Sequence, residues 1–113
     1  MSTRSTISIK TPEGKIRSIY CHYDGYLEHN GELLSTHYNN ESAANNLIKL
    51  GDISSLASTL ETTVAYHRDR RESYRVDVVD DIKDIDGQDY NYLFMDGKWS
   101  YWKWSEHFNI KEL

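Results

Sequence analysis

Two runs of β-forming residues flank an Asp-Gly pair near the carboxyl end, and this arrangement limits the fold more than any other local pattern. The runs cover residues 90–95 and 98–104 and are dominated by aromatic side chains, which favour pleated sheets. Asp96-Gly97 between them can adopt the left-handed backbone angles of a two-residue hairpin turn. The sequence therefore predicts an antiparallel hairpin here.

A second hairpin is predicted at the amino end. Residues 5–10 alternate, with Ile7 and Ile9 on one side, as in a half-buried strand. A turn-forming stretch containing Pro12 and Gly14 follows. Residues 16–23 are again rich in β-forming side chains and predict the returning strand.

Helices are predicted between the two hairpins. The first is short and carries three leucines: Leu27, Leu33 and Leu34. The second covers residues 41–50, because Asn40 is a suitable N-cap, apolar residues follow at helical spacing and Gly51 supplies the stop. We predict one further helical turn over residues 52–56.

The remaining elements complete an α+β order. Strands are predicted at residues 62–66 and 74–79, and a helical turn at residues 80–85. The order is then ββααββ(α)ββ. We expect one domain over residues 1–113, in which the N-terminal hairpin and the C-terminal strands form an antiparallel sheet with two helices packed on one face.

Composition indicates an intracellular soluble protein. The 113 residues include one cysteine, Cys21, which excludes an intrachain disulfide and fits a reducing compartment. We expect no signal peptide behind the N-terminal residues and no membrane-spanning segment. Nine tyrosines and three tryptophans against two phenylalanines give much of the apolar mass a polar group suited to half-exposed positions.

The negative charge is concentrated in one stretch. Residues 77–89, called here the acidic segment, contain six aspartates and one lysine, and this equals the formal net charge of −5 of the whole chain. Such a balance opposes direct, non-specific binding of nucleic acid. We instead predict that Asp80, Asp81 and Asp84 form a face that could meet a basic channel of a protein partner.

A basic cluster directly precedes the acidic segment. Tyr66 is followed by Arg68, Arg70 and Arg71. Guanidinium groups bind phosphates in a bidentate manner and stack on flat bases, so a loop of this composition suits a nucleotide-like ligand. The alternative is a solvated hairpin loop whose charges pair internally or with the acidic segment.

The last predicted strand carries more aromatic surface than one core face can hold. Alternation directs Trp99 and Tyr101 to one face and Trp102 and Trp104 to the other. We predict that Trp102 and Trp104 form a stacking wall for the ligand or a homodimer interface. Packing beneath the helices or the C-terminal tail is the competing interpretation.

No catalytic or metal-binding pattern emerges from the reactive side chains. Cys21 and His22 are adjacent and should point to opposite faces of a strand. His22 and Asp24 could share a face, but Asp24 also suits a turn, and no Gly-rich loop or nucleophile accompanies the pair. The histidines lack metal-ligand spacing. We therefore expect no enzymatic activity, no cofactor and no metal.

Several motifs together resemble a family of small accessory proteins of tailed bacteriophages and prophages. They are the N-terminal Met-Ser-Thr-Arg-Ser-Thr-Ile and residues 20–26, 50–56, 64–72, 90–94 and 96–99, which span nearly the whole chain. Tyr23 stands where the family leads us to expect tryptophan, and His67 and Arg71 where it leads us to expect glycine.

This resemblance implies phage origin and action in the cytoplasm of the bacterial host. Small phage proteins of this kind often antagonise bacterial immunity, some by sequestering a cyclic nucleotide signal. Others inhibit a CRISPR, restriction or other nuclease effector. The resemblance assigns no functional residues, so the expected ligand-binding residues remain those chosen from the sequence.

Overall fold

The computed structural model describes residues 2–106 and 108–113, which form one eight-stranded sheet, three α-helices and shorter helical turns. The strands are β1 (Ser5–Lys10), β2 (Ile16–Cys21), β3 (Ile53–Ser55), β4 (Val64–Ala65), β5 (Asp77–Val79), β6 (Tyr90–Met95), β7 (Lys98–Lys103) and β8 (Lys111–Glu112). The helices are α1 (Glu32–His37), α2 (Glu41–Ile48) and α3 (Tyr66–Arg70). A π-helical turn, Leu27–Gly31, leads into α1, and 3₁₀ turns cover Ile82–Asp84 and Trp104–Glu106.

The sheet is mixed, which corrects the prediction of a purely antiparallel one. Its order is β4-β3-β2-β1-β6-β7-β8, and β5 pairs with the same edge of β2 as β3 does. The β1–β6 and β2–β3 pairs are parallel, and the others are antiparallel. Parallel neighbours need a long crossover connection, and the helical region between β2 and β6 supplies one that local sequence patterns do not reveal.

The main core lies between one face of the sheet and the helices. Buried side chains of β1, β2 and β6 pack there against residues of α1 and α2; they include Ile7, Ile9, Ile19, Phe94, Leu34, Ala44, Leu47 and Ile48. Trp99 joins them and donates a hydrogen bond from Nε1 to the carbonyl oxygen of Tyr38 at 2.9 Å. The predicted placement of Trp99 and Trp102 on opposite faces is therefore confirmed, since Trp99 lies in the main core and Trp102 in the second core described below.

Capping residues set the observed bounds of α2. The Asn40 side chain accepts a hydrogen bond from the Ala43 N–H at 2.8 Å, as an N-cap does. Gly51 has a φ of +77° just beyond the helix, where an L side chain would be strained. The residues that follow form β3 and not the predicted helical turn, because Cys21 of β2 offers a parallel partner to Ile53.

A smaller second core covers the opposite face of the sheet. Ile16, Leu93 and Trp102 are buried there beneath Ile85, with Ile82 partly buried alongside. Ile82 and Ile85 thus both point towards this core. The tail also docks, because β8 pairs with β7.

Both predicted hairpins are present. At the tip of the second, Asp96 and Gly97 have φ values of 55° and 78°, as the predicted turn requires. Among residues 2–106 and 108–113, no helix has the length and apolar character that a membrane span requires.

Candidate functional site

The segment predicted as an arginine-rich loop is instead the short helix α3, and Arg68 is a structural part of it. Arg68 Nη2 donates to the carbonyl oxygen of Thr63 at 2.6 Å, and its guanidinium binds the Asp69 carboxylate at 2.9 Å. Asp69 Oδ2 also accepts from the Ala65 N–H at 2.7 Å. These contacts hold the pKa of Asp69 below its usual value, chiefly through Arg68 and then through Ala65. Arg68 therefore fastens α3 to β4.

The other two arginines of the cluster remain exposed. Arg70 lies over the Tyr66 ring, 5.4 Å from guanidinium carbon to ring centroid, a distance at which a cation and a π face attract. Arg71 ends α3 with a φ of 56°, in a left-handed conformation that glycine adopts more readily. Among the described residues, no carboxylate lies within ion-pair distance of either guanidinium.

The chain after α3 curves around an open hollow of about 570 Å³. We call it the tyrosine hollow, and its lining residues are Tyr20, Asp52, Tyr66, Arg71, Glu72, Ser73 and Arg75. Tyr74 anchors this curve from outside, because its hydroxyl donates to the carbonyl oxygen of Lys49 at 2.9 Å and its ring meets that of His67. Two of the predicted ligand residues, Tyr66 and Arg71, thus line one concave surface.

A second, smaller hollow adjoins the first on the face of β1 and β2 that carries the second core. This polar pit measures about 280 Å³ and shares Tyr20, Asp52 and Arg75 with the tyrosine hollow. Its other lining residues are Thr6, Ser18, Ile19, Asp77, Asp86 and Gln88. The two hollows together form one groove, in which Arg71 and Glu72 line only the tyrosine hollow, and Asp77 and Asp86 line only the polar pit.

Asp52 and Tyr20 form the junction between the hollows. Asp52 Oδ1 accepts a hydrogen bond from the Tyr20 N–H at 2.9 Å. Burial raises the pKa of Asp52 above its usual value, although the Tyr20 N–H and the charge of Arg75 act in the opposite direction. Arg75 itself is held by Asp77 through bonds of 3.1 and 3.2 Å. The junction therefore offers a carboxylate and a guanidinium on a fixed backbone.

Replacing Asp52 with asparagine should raise the free energy of unfolding at neutral pH. Because the folded-state pKa lies above the ordinary 3.8, the folded protein binds this proton more tightly than the unfolded chain. The contribution of Asp52 to stability is thus greatest at low pH and falls as pH rises through the folded-state pKa. Asparagine keeps a side-chain oxygen that can accept the Tyr20 N–H. It carries no charge, so its burial avoids the desolvation cost of the carboxylate.

Urea unfolding at a series of pH values checks this. The advantage of Asp52→Asn over wild type should grow as pH rises from about 3 towards 7. Asp69→Asn is the control with the opposite sign, because Asp69 has a lowered pKa and its contribution to stability is lost as pH falls. A pH-independent difference between Asp52→Asn and wild type would contradict the assignment.

Trp102 and Trp104 are not part of this groove. They lie at β7 and just beyond it, whereas α3 follows β4 at the other end of the sheet order. Trp102 is 2% exposed and belongs to the second core, while Trp104 is 63% exposed. The structure therefore separates the predicted stacking wall from the arginine cluster, and of these two tryptophans it leaves Trp104 accessible.

All three aspartates of the predicted acidic face are exposed, and two of them, Asp80 and Asp81, also make structural contacts. Asp80 pairs with Lys15. Asp81 caps the 3₁₀ turn by accepting from the Lys83 N–H at 3.1 Å. Asp84 is exposed on the same turn. Since Ile82 and Ile85 point inward, these aspartates face outward together.

His22 makes contacts that the sequence did not indicate. Its Nδ1 lies 2.7 Å from the Tyr20 hydroxyl and its Nε2 lies 3.2 Å from the Ser2 hydroxyl. The His22 imidazole thus lies between two hydroxyl groups, and its contact with the Tyr20 hydroxyl can orient Tyr20 at the groove. Cys21 is fully buried, and burial raises the pKa of its thiol, which makes a nucleophilic role unfavourable.

Metal-ligating side chains do not converge within the described ranges. Residues 2–106 and 108–113 contain no group of three or more His, Cys, Asp or Glu side chains arranged to hold a metal ion.

Sequence reasoning missed the three residues that both hollows share: Tyr20, Asp52 and Arg75. Strand alternation could have directed Tyr20 away from the main core, because Ile19 points into it. Nothing local connects Tyr20 with Asp52, which meet only because β3 pairs with β2. No model of a known protein family, no curated protein and no solved structure matches this chain.

Proposed function

We propose that this chain is a non-catalytic binding protein that sequesters a phosphate-bearing, nucleotide-like signal in the groove formed by the tyrosine hollow and the polar pit. The observation that carries the proposal is the position of Arg71. It lines a concave surface together with Tyr20 and Tyr66 and occupies a strained backbone conformation, a feature that clusters at functional sites. The resemblance to phage accessory proteins supports a role against bacterial immunity in the host cytoplasm.

The charges of the groove suggest how such a ligand would lie. Phosphate groups suit the end with Arg71, because a guanidinium donates two parallel hydrogen bonds to phosphate oxygens. Asp77 and Asp86 in the polar pit would repel phosphate, but they can accept hydrogen bonds from the amino groups of a base. Tyr20 lines both hollows and Tyr66 lines the tyrosine hollow, and both offer rings for stacking.

Calorimetry with purified protein tests the proposal. Cyclic mononucleotides, cyclic dinucleotides and ADP-ribose derivatives are titrated in turn, with inorganic phosphate and the free nucleosides as references. We expect at least one nucleotide to bind more tightly than both references, because phosphate and base would occupy different ends. An absence of binding for the whole panel, with unchanged NMR signals of Tyr20 and Tyr66, would refute the groove as a nucleotide site.

The bound nucleotide should be recovered unchanged. Chromatography after prolonged incubation is expected to show the starting nucleotide alone, because the groove binds and releases it without a chemical step. His22→Ala should leave this result unaltered and reduce affinity only modestly through the loss of its bond to Tyr20. Product formation that disappears in His22→Ala would identify an enzyme acting through His22 and Ser2.

A second candidate function is inhibition of a host defence protein through the acidic segment. It is favoured by the outward orientation of Asp81 and Asp84 above a turn fixed by the second core. Reversal of both charges should then slow association with a basic partner, with a smaller effect at high salt. The sequestration proposal expects this double variant to protect phage as well as wild type does.

A further inference from the structure

A third concave surface lies next to the second core and meets the groove at Asp86. This aromatic cleft measures about 240 Å³, below the range of roughly 300–1,000 Å³ typical of pockets for drug-sized ligands. Its lining residues are Lys83, Ile85, Asp86, Gly87, Trp102, Trp104 and Phe108. Its size suits one planar side-chain group better than a nucleotide.

The cleft has a built floor and an accessible wall. Trp102 forms the buried floor, and its ring centroid lies 5.8 Å from that of Phe108. Trp104 lies against the backbone of Gly87, where a Cβ would come within 2.9 Å of the indole ring. The backbone N–H of Trp104 also donates to the carbonyl oxygen of Asp89 at 3.1 Å. Trp104 is therefore held in place although its side chain is largely exposed.

Exposure of these aromatic rings is unusual for a packed protein. Trp104 is 63% and Phe108 is 44% exposed. Large aromatic side chains that stay accessible beside a buried partner are typical anchors of protein interfaces. The position of Trp104 at the rim of a cleft suggests that it contacts an inserted side chain.

The charge around the cleft indicates the sign of that side chain. Asp86 lines the cleft, and Asp84 and Asp89 flank it in sequence, against the single cation Lys83. Aromatic faces attract cations, most strongly when the ring is tryptophan. A guanidinium is planar, weakly hydrated and stacks on aromatic rings, which favours arginine over the compact lysine ammonium.

We infer that the aromatic cleft binds an arginine side chain of a protein partner, with Trp104 as the stacking surface and Asp86 as the countercharge. The inference deepens the second candidate function by giving the acidic segment an anchor point. Asp86 lines both the polar pit and the cleft, so the two sites are distinguished by Arg71, which lines only the groove, and Trp104, which lines only the cleft.

A short peptide tests the inference directly. Acetyl-Gly-Arg-Gly amide is titrated into the full chain, and the indole N–H signals of the tryptophans are followed by NMR. The matched control replaces arginine with citrulline, which has nearly the same shape but no charge. We expect the arginine peptide to shift the Trp104 signal at least about threefold more strongly than the citrulline peptide at equal concentration, since cation–π attraction needs the charge.

Variants separate charge selectivity from simple apolar contact. Trp104→Ala should abolish the shift of the Phe108 ring signals, and Asp86→Asn should weaken binding about threefold through loss of an exposed countercharge. Lys83→Gln should instead tighten binding by a similar factor, because Lys83 is the one repelling cation among the described residues that line the cleft. Arg71→Gly should bind the peptide as wild type does, which keeps this test distinct from that of nucleotide binding.

Three outcomes would overturn the inference. Equal binding of the citrulline peptide would mean that charge is not recognised. Weaker binding by Lys83→Gln would mean that the cleft prefers an anion. Displacement of a homodimer by the peptide in sedimentation, with no shift at Trp104 in the monomer, would identify a second copy of this chain as the occupant.

Discussion

Replacing Arg71 with glycine is expected to weaken nucleotide binding by about ten- to a hundredfold without loss of folding stability. Bidentate hydrogen bonds from a guanidinium to phosphate typically contribute about 1.5–3 kcal/mol. Glycine removes them but keeps the left-handed backbone at the end of α3, where a side chain costs roughly 1–2 kcal/mol. The greater freedom of glycine in the unfolded chain offsets part of that relief, so the melting temperature should stay equal or rise.

Calorimetry and thermal unfolding of the same samples check both halves of this expectation. Arg70→Ala is the control with the same change in charge, because Arg70 contacts the Tyr66 ring but does not line the hollow. Its loss should weaken binding several-fold less than that of Arg71. Equal nucleotide affinities of wild type and Arg71→Gly would show that Arg71 does not contact the ligand. Equal losses of affinity in Arg71→Gly and Arg70→Ala would indicate that both arginines act by long-range attraction of the phosphate and not by direct contact.

Trp102→Ser should lower the free energy of unfolding by about 3–5 kcal/mol, the range for large aromatic side chains deleted from a core. Trp102 is 2% exposed and packs with Ile16, Ile85 and Leu93. A small domain is usually stable by only about 5–15 kcal/mol, so this variant should be close to unfolding at 37 °C. The sequence pattern alone had suggested a residue needed mainly for association.

Trp104→Ser is the matched control, because it makes the same chemical change two positions along the chain at an exposed site. Its effect should stay within about 0.5 kcal/mol, as for most surface substitutions. Chemical denaturation monitored by far-UV circular dichroism measures both. A larger loss of stability in Trp104→Ser than in Trp102→Ser would contradict the assignment of core and surface.

Elements with strong local signals could be predicted from the sequence. The bounds of β1 and β6 agree with prediction, since alternation and turn residues define them within a few residues. The start of α2 agrees as well, because the Asn40 side chain caps it directly. For the last long strand, the predicted and observed ends differ by one residue: β7 ends at Lys103, and Trp104 begins a 3₁₀ turn.

Features that depend on distant pairing could not be predicted in this way. The groove requires β3 to pair with β2, which brings Asp52 to the Tyr20 N–H across 32 residues. Likewise, α3 forms where a loop was predicted. The helix is very short, and the Arg68–Asp69 pair and the hydrogen bond from Arg68 to the Thr63 carbonyl oxygen stabilise it. Arg71 then adopts a left-handed backbone angle, which glycine adopts more readily.

The central position of β1 in the sheet has a consequence for synthesis of the chain. β1 pairs with β2 at once, but its other edge waits for β6, and the buried bond from Thr6 to Asn91 joins residues 85 positions apart. At about 5–20 residues per second, a ribosome needs roughly 4–17 s to cover that distance. During this interval the nascent hairpin presents an unprotected strand edge of the kind that templates aggregation. Yield of correctly folded protein should therefore depend on elongation speed and on chaperones that shield β1 until residues 90–95 have left the ribosome.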